Sequence, residues 1–271
     1  LYNAAKAGHT GTLDPMATGL LPLCFGEATK FAGELLEADK AYRAEVQLGV
    51  VTDTADAEGV VLETRPVNVA LAQLQAALSR FVGPQQQVPP MYSALKKDGK
   101  PLYEYARAGL ELEREARSIT IHNLQLIDFQ GDRFTIDVDC TKGTYIRTLA
   151  ADIGALLGCG AHLTALRRTR IGRLQVADAT TLEALEAGGA EGRAQWLRPA
   201  DALLTDTPAL HLDAAQAGRI AHGQSLAWQG VIEGGRYRLY SAEGDFLGLA
   251  IGHQGNLAPK RLVAEKTVAS S

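Results

Sequence analysis

The 271-residue chain is short of the residues that hold metals or staple secreted folds. Its three cysteines, Cys24, Cys140 and Cys159, include no C-x-x-C pair, so neither a zinc site nor a disulfide framework is supported. A reducing cytoplasm is the expected home. No uninterrupted apolar run approaches the roughly 20 residues of a bilayer span, and no charged leader with an apolar core stands at the start, so no membrane association is expected. Positive charge is scarce as well: the net charge is −4, and a polyanion would have to be held by a local cluster. The methionines are Met16 and Met91 and the chain opens at Leu1, so a preceding segment is expected.

What is present suffices for one sizeable core and a small second one, since 46% of the residues are hydrophobic. Residues 42–50 put Tyr42, Ala44, Val46 and Leu48 on one side, the alternation of a half-buried strand, and Val60–Leu62 is expected to return beside it. Between them TDTADAEG (52–59) reads as a polar, turn-rich loop. Asn68 is placed to cap a helix from Val69 to Phe81 that stops at Gly83-Pro84. Residues 85–109 begin irregularly around a double proline and then form a short helix carrying Tyr103, Ala106 and Arg107. Strands over Ser118–Phe129 and Arg133–Asp139 form a hairpin through Gly131-Asp132. A helix over Thr144–Leu157 follows, with Ile146, Leu149, Ile153 and Leu157 on its apolar face.

Residues 162–174 hold Arg167, Arg168, Arg170 and Arg173, and no acidic residue lies between Asp152 and Asp178. That stretch is where the backbone of a nucleic acid could be held despite the acidic total; pairing with distant carboxylates is the alternative. Past Pro199 the pattern changes to short glycine-rich strands, including 236–242 and 246–252, which reads as a small β-rich module from about residue 206.

The densest punctuation is GHTGTLDPMATGLLP (8–22), with three glycines, two prolines, one histidine and one carboxylate. Pro15 biases Asp14 toward an extended conformation, and Gly11 and Gly19 permit bends on either side, so the loop could present Asp14 to a cleft. An Asp before Pro in such a loop is more commonly a turn former, and the residues alone leave the function open. The stretch is, however, very similar to the signature loop of the TruB family of tRNA pseudouridine synthases. The resemblance continues in order through DKAYRAEVQLG (39–49), TDTADAEG, PPMYSALKKDGKPLYEYARAG (89–109), CTKGTYIRTLAADIG (140–154) and GCGAHLTALRRTRIG (158–172). A weaker similarity links the last 60 or so residues to a PUA-type RNA-binding domain. The family normally carries a further strand and helix before the position of Leu1.

The resemblance implies an α+β pseudouridine-synthase fold with a mixed, mainly antiparallel sheet. It implies a catalytic domain over 1–205, with an RNA-binding insertion at about 85–110, and a PUA-like RNA-binding domain over 206–271. The implied reaction turns the T-loop uridine at tRNA position 55 into pseudouridine by breaking N1–C1′, rotating the base and rejoining through C5. No metal or organic cofactor is required, because nothing is oxidised and no external group is transferred. Asp14 resembles the essential aspartate, Arg147 its ion partner, and Tyr42 the tyrosine that stacks on the base, a contact worth about 1–3 kcal/mol. A carboxylate removed from water regains its charged, reactive form beside a guanidinium. Tyr145 and Leu166 match positions lining the base pocket, with simple core packing as the alternative. His9 is assigned to filling the space left by the flipped base, whose extrusion costs a few kcal/mol. Lys96, Arg107, Arg167 and Arg168 are assigned to the RNA backbone. The expected partner is the T-arm of tRNA, with the protein acting as a cytoplasmic monomer without an obligate protein partner.

Whether Asp14 adds to C6, attacks C1′ or removes the C2′ proton is not written in the sequence; each route uses one carboxylate near sugar and base. Three rivals stand beside the enzyme reading. One is a noncatalytic RNA binder with the same pocket. Another is a guide-RNA-directed relative working in a multiprotein particle. The third is a magnesium-dependent nuclease drawing on Asp53 and Asp56.

Overall fold

A computed structural model describes residues 1–264; residues 265–271 of the expected 206–271 domain lie outside them. The chain divides into two compact units: one holds Thr12–Leu21 and Glu37–Ala179, the other Leu1–Gly11, Pro22–Leu36 and the chain from Thr180 onward. The division thus differs from the single step expected at 205/206.

The first unit is built on a seven-stranded sheet. Its central strand, Lys40–Leu48, alternates as the sequence indicates, with Tyr42, Ala44, Val46 and Leu48 buried and Arg43 and Glu45 exposed. Arg133–Cys140 and Ala161–Ile171 flank it antiparallel, and Arg117–Phe129 and then Gly83–Gln87 extend the sheet beyond Arg133–Cys140. One pairing is parallel, between Thr18–Gly19 and Arg167–Arg168, so the sheet is mixed and mainly antiparallel.

Against the buried face packs the helix Ile146–Leu156, which places Ile146, Leu149 and Ile153 in a core with Tyr42, Val46, Phe134 and Leu163. Burying each such aliphatic side chain contributes about 1.5–3 kcal/mol. A second helix, Leu71–Ser79, adds Leu74 and Leu78 to the same core.

Several local expectations are corrected. The second helix starts after Ala70, not at Asn68, because the Gln73 side chain reaches back to accept the Ala70 N–H at 2.8 Å. Gly83–Gln87 is an edge strand, although its prolines and glutamines read as an irregular start. Val61–Thr64 pairs with Val50–Thr52 in a separate two-stranded ribbon, not with the Tyr42 strand, and Val60, Val61 and Leu62 are exposed.

The other unit contains a five-stranded sheet formed by Ala209–His211, Arg236–Tyr240, Phe246–His253, Asn256–Leu262 and Leu226–Ala227. It is the β-rich module expected after Pro199. The segments Leu1–Gly11 and Pro22–Leu36 join it for a physical reason: Phe31 packs with Leu204 and Leu249, and Glu34 pairs with Arg236. Among the described residues no helix is long and apolar enough to cross a membrane.

Candidate active site

The loop carrying Asp14 is fixed to the sheet at its far end. Leu20 N–H donates to Arg168 O at 2.8 Å, and the Arg168 Nε donates back to Leu20 O at 2.8 Å. Gly19 is required there: its φ is +97°, and a Cβ would stand 2.3 Å from Arg168 O. Within the loop, Ala17 N–H donates to Asp14 O at 2.8 Å, turning the chain directly after the carboxylate.

Asp14 meets Arg147. The guanidinium donates through Nε to Oδ2 at 2.8 Å and through Nη2 to Oδ1 at 3.1 Å, a two-pronged contact. The Arg147 side chain is only 4% exposed, whereas that of Asp14 is 34% exposed. The guanidinium is therefore committed while the carboxylate keeps an open side.

Arg147 lies in the first turn of its helix, where the helix dipole disfavours a cation. Its surroundings offset that cost. Nη1 donates to Thr54 O at 3.1 Å, Nη2 to Tyr92 O at 2.7 Å, and Asp56 Oδ2 lies 3.5 Å from Nε. Asp56 is itself buried, accepting Thr54 Oγ1 at 2.5 Å and Glu58 N–H at 3.0 Å. The helix start is held by Gln87, whose side chain accepts Tyr145 N–H at 2.8 Å and donates to Tyr145 O at 3.1 Å.

Two tyrosines stand close enough for the Asp14 charge to act on them. Burial pushes the Tyr42 phenol up to about 12, and the neighbouring Cys140 adds to the rise. The phenol thus keeps its proton at neutral pH and offers a flat ring and a donor, not a base. Burial also raises the Tyr145 phenol. Leu166 is buried in the core, and its carbonyl accepts Thr18 Oγ1 at 3.4 Å.

Asp14, Tyr42, Tyr145, Arg147 and Leu166 thus belong to one unit, while His9 belongs to the other. His9 is exposed on the Ala7–His9 strand, and its Nδ1 accepts Gly11 N–H at 3.3 Å. Lys96 is exposed on a short hairpin, and Arg107 is exposed with its guanidinium 5.2 Å from the Tyr103 ring centre. Arg167 is exposed beside Thr18.

Arg168 must be reassigned. It is 1% exposed and turned inward to Leu20 and the Tyr42 phenol, so it anchors the Asp14 loop and cannot meet a phosphate from solution. Arg170, in the same stretch, pairs with Asp139, the alternative left open for these arginines. The residues missed as site components are Gln87 and Tyr92, and Asp56 was considered only as a magnesium ligand of the nuclease reading. The loop that carries Asp56 is folded tightly on itself and not merely solvated: a Cβ at Gly59 would meet Thr54 Oγ1 at 2.3 Å.

A separate open groove of about 550 Å³ is lined by Gln85, Gln86, Ser118, Thr120, Thr141 and Lys142 among others, and Asp14 is not part of it. Among the described residues no three His, Cys, Asp or Glu side chains converge as a metal site.

Residues 1–146 match the model described as "TruB family pseudouridylate synthase (N terminal domain)". Residues 147–205 match "tRNA pseudouridylate synthase B C-terminal domain", and residues 208–263 match "Pseudouridine synthase II TruB, C-terminal". A curated relative from Aromatoleum aromaticum, named tRNA pseudouridine synthase B, is 59% identical over 272 residues, covering 100% of this chain and 87% of its own length. One of the same name from Burkholderia mallei is 58% identical, covering 97% and 89%. A solved Cbf5-Nop10-Gar1 complex contains a chain similar at a TM-score of 0.70 and 25% identity, over 93% of this chain and 71% of that one. An H/ACA RNP bound to a substrate RNA containing 2′-deoxyuridine gives a TM-score of 0.71 at 22% identity, over 96% and 77%, a likeness of fold.

Proposed function

The chain belongs to the TruB family of pseudouridine synthases, and we propose that it converts a uridine of tRNA to pseudouridine with Asp14 as the reacting carboxylate. The observation that carries this reading is the bidentate Arg147–Asp14 pair, with the cation buried and the carboxylate one-third exposed. In the reaction the N1–C1′ bond breaks, the uracil turns, C5 bonds to C1′, the C5 proton leaves to solvent, and N1 takes up a proton from solvent. Arg147 holds the position and angle of the carboxylate. Tyr42 stacks on the base, Tyr145 and Leu166 line its pocket, and His9 fills the vacated stack in the RNA.

We assign the T-loop uridine at position 55 as the target, and Lys96, Arg107 and Arg167 as contacts to the backbone of the T-arm. A catalytic domain over 1–205 and an RNA-binding module over 206–271 complete the assignment. The protein acts in the cytoplasm as a monomer, without guide RNA or protein partner. The solved relatives come from multiprotein particles, so activity on an isolated T-arm hairpin is the test of independence; a requirement for added proteins would refute it.

Tritium release from C5-labelled tRNA tests the reaction itself. Wild type is expected to release the label and Asp14→Asn to release almost none. Equal, low release by both would leave an RNA-binding protein. Activity in excess chelator argues against the magnesium-dependent nuclease, and pseudouridine in intact RNA excludes strand cleavage as the outcome.

A further inference from the structure

Arg147 draws two acceptors from separate segments of backbone, Thr54 O and Tyr92 O. Tyr92 sits at the root of the 85–110 insertion, and it makes a second link: its hydroxyl donates to Asp53 Oδ2 at 3.3 Å. Asp53 in turn closes the loop that carries Thr54, donating its N–H to Val60 O at 3.1 Å and accepting Val60 N–H on Oδ1 at 2.8 Å. One residue therefore grips the guanidinium with its carbonyl and the guanidinium's other loop with its ring.

We infer that Tyr92 is a positioning residue whose carbonyl and hydroxyl tie the insertion to both the Arg147 guanidinium and the Thr52–Gly59 loop, so that the insertion's hold on RNA is transmitted to the Asp14–Arg147 pair. The inference rests on the proposed reaction for its rate effect, but not for its structural effect. A reactive constellation needs placement to within about 0.5 Å and 10–20°. If the insertion moved alone, Tyr92 O would drift from Nη2 while Thr54 O stayed with Nη1, and the planar fork would twist away from Asp14. The Tyr92–Asp53 bond makes the two carbonyls move together. Arg107, on the insertion's helix, lies near enough for its charge to act on the Tyr92 phenol, so a cation assigned to RNA adjoins the link.

Tyr92→Phe removes the hydroxyl and keeps the ring and the carbonyl. The single-turnover rate on tRNA is expected to fall about three- to tenfold, the worth of one modest hydrogen bond, with the Kd for tRNA changed less than twofold. Asp53→Ala should slow the rate similarly or more, and the double variant should be no slower than Asp53→Ala alone, because both changes break one link. Independently of turnover, hydrogen exchange at the Arg147 Nε–H and the Val60 amide should quicken in Tyr92→Phe. An unchanged rate with unchanged exchange overturns the inference, as does a loss confined to tRNA affinity, which would make Tyr92 an RNA contact. Should wild type form no pseudouridine, the proposed reaction fails, and exchange at Arg147 alone decides the link: faster exchange upholds it and unaltered exchange refutes it.

Discussion

Among the described residues a cluster of arginine, aspartate and tyrosine stands in each compact unit, and the two are arranged for opposite ends. In the β-rich unit Tyr240 donates to Asp201 Oδ2 at 2.5 Å, Arg238 donates to the same hydroxyl at 2.9 Å and to Thr207 O at 2.8 Å, and His211 stacks on the Tyr240 ring. Every group faces another, and Arg238 and Asp201 are equally buried at 17% exposure. Such a closed set ties the segment before the sheet to the sheet. Around Asp14 the balance is unequal, because Arg147 is almost wholly enclosed and overcommitted while its carboxylate stays open to solvent. Residue type does not separate a structural cluster from a reactive one; the asymmetry of exposure within the ion pair does.

The strongest way to break that comparison is to neutralise each carboxylate. Asp14→Asn preserves shape and should cost about 10⁴-fold in the rate of tritium release, the scale seen when a covalent catalyst loses a central group. Asp201→Asn should leave that rate within twofold and lower the urea midpoint instead. If both variants lose activity equally, the distinction collapses. Next in size is Arg147→Lys, which keeps the charge but cannot present a planar fork to Asp14 while also serving Thr54 O and Tyr92 O. A rate loss of about a hundredfold is expected, whereas Arg238→Lys should stay near wild type in the same single-turnover measurement.

How much of this was legible beforehand follows from which signals are local. The Tyr42 strand, the Arg117–Cys140 hairpin and the Arg147 helix each announce themselves by the spacing of their own apolar residues. The Gly83–Gln87 strand does not, since its partner on Arg117–Phe129 is remote in sequence and its glutamines carry no apolar alternation. Gln87 follows two other glutamines, and only the fold shows that it is the buried one that clamps the helix start. Arg168 illustrates a different failure. Counting charge along 162–174 treated four arginines alike, but alternation was available: Arg168 falls on the same side of its strand as buried Leu166, and Arg167 on the other. Asp14 and Arg147 are 133 residues apart, and only the family resemblance joined them before the fold did. Asp56 lay within the stretch that the resemblance covers, but its inward turn was not legible, because a polar loop of Thr and Asp reads the same whether solvated or folded inward.

A smaller effect separates the two phenols, both pushed up to about 12 but for different balances of cause. For Tyr42 burial leads; for Tyr240 burial is joined by the hydrogen bond to Asp201 and its charge. Above pH 10 the unfolded Tyr42 phenol loses its proton while the folded one retains it until about 12, so stability is present below pH 10 and falls as pH rises through that window. At pH 11 the loss from Tyr42 is on the order of 1 kcal/mol. Tyr42→Phe should flatten the fall in urea stability between pH 9 and 11 by about that amount; an unchanged slope would mean the phenol is better solvated than its burial indicates.

Smallest of all is the change at Tyr240, whose ring is partly exposed. Tyr240→Phe leaves Asp201 facing Arg238 across 3.5 Å without the bridging hydroxyl. At pH 8 that should lower stability by about 1 kcal/mol, the net worth of the lost hydrogen bonds, and leave the rate of pseudouridine formation unchanged. A rate loss larger than the stability loss can explain would carry function into the β-rich unit's cluster, and exposure asymmetry would then no longer tell the reactive pair from the structural one.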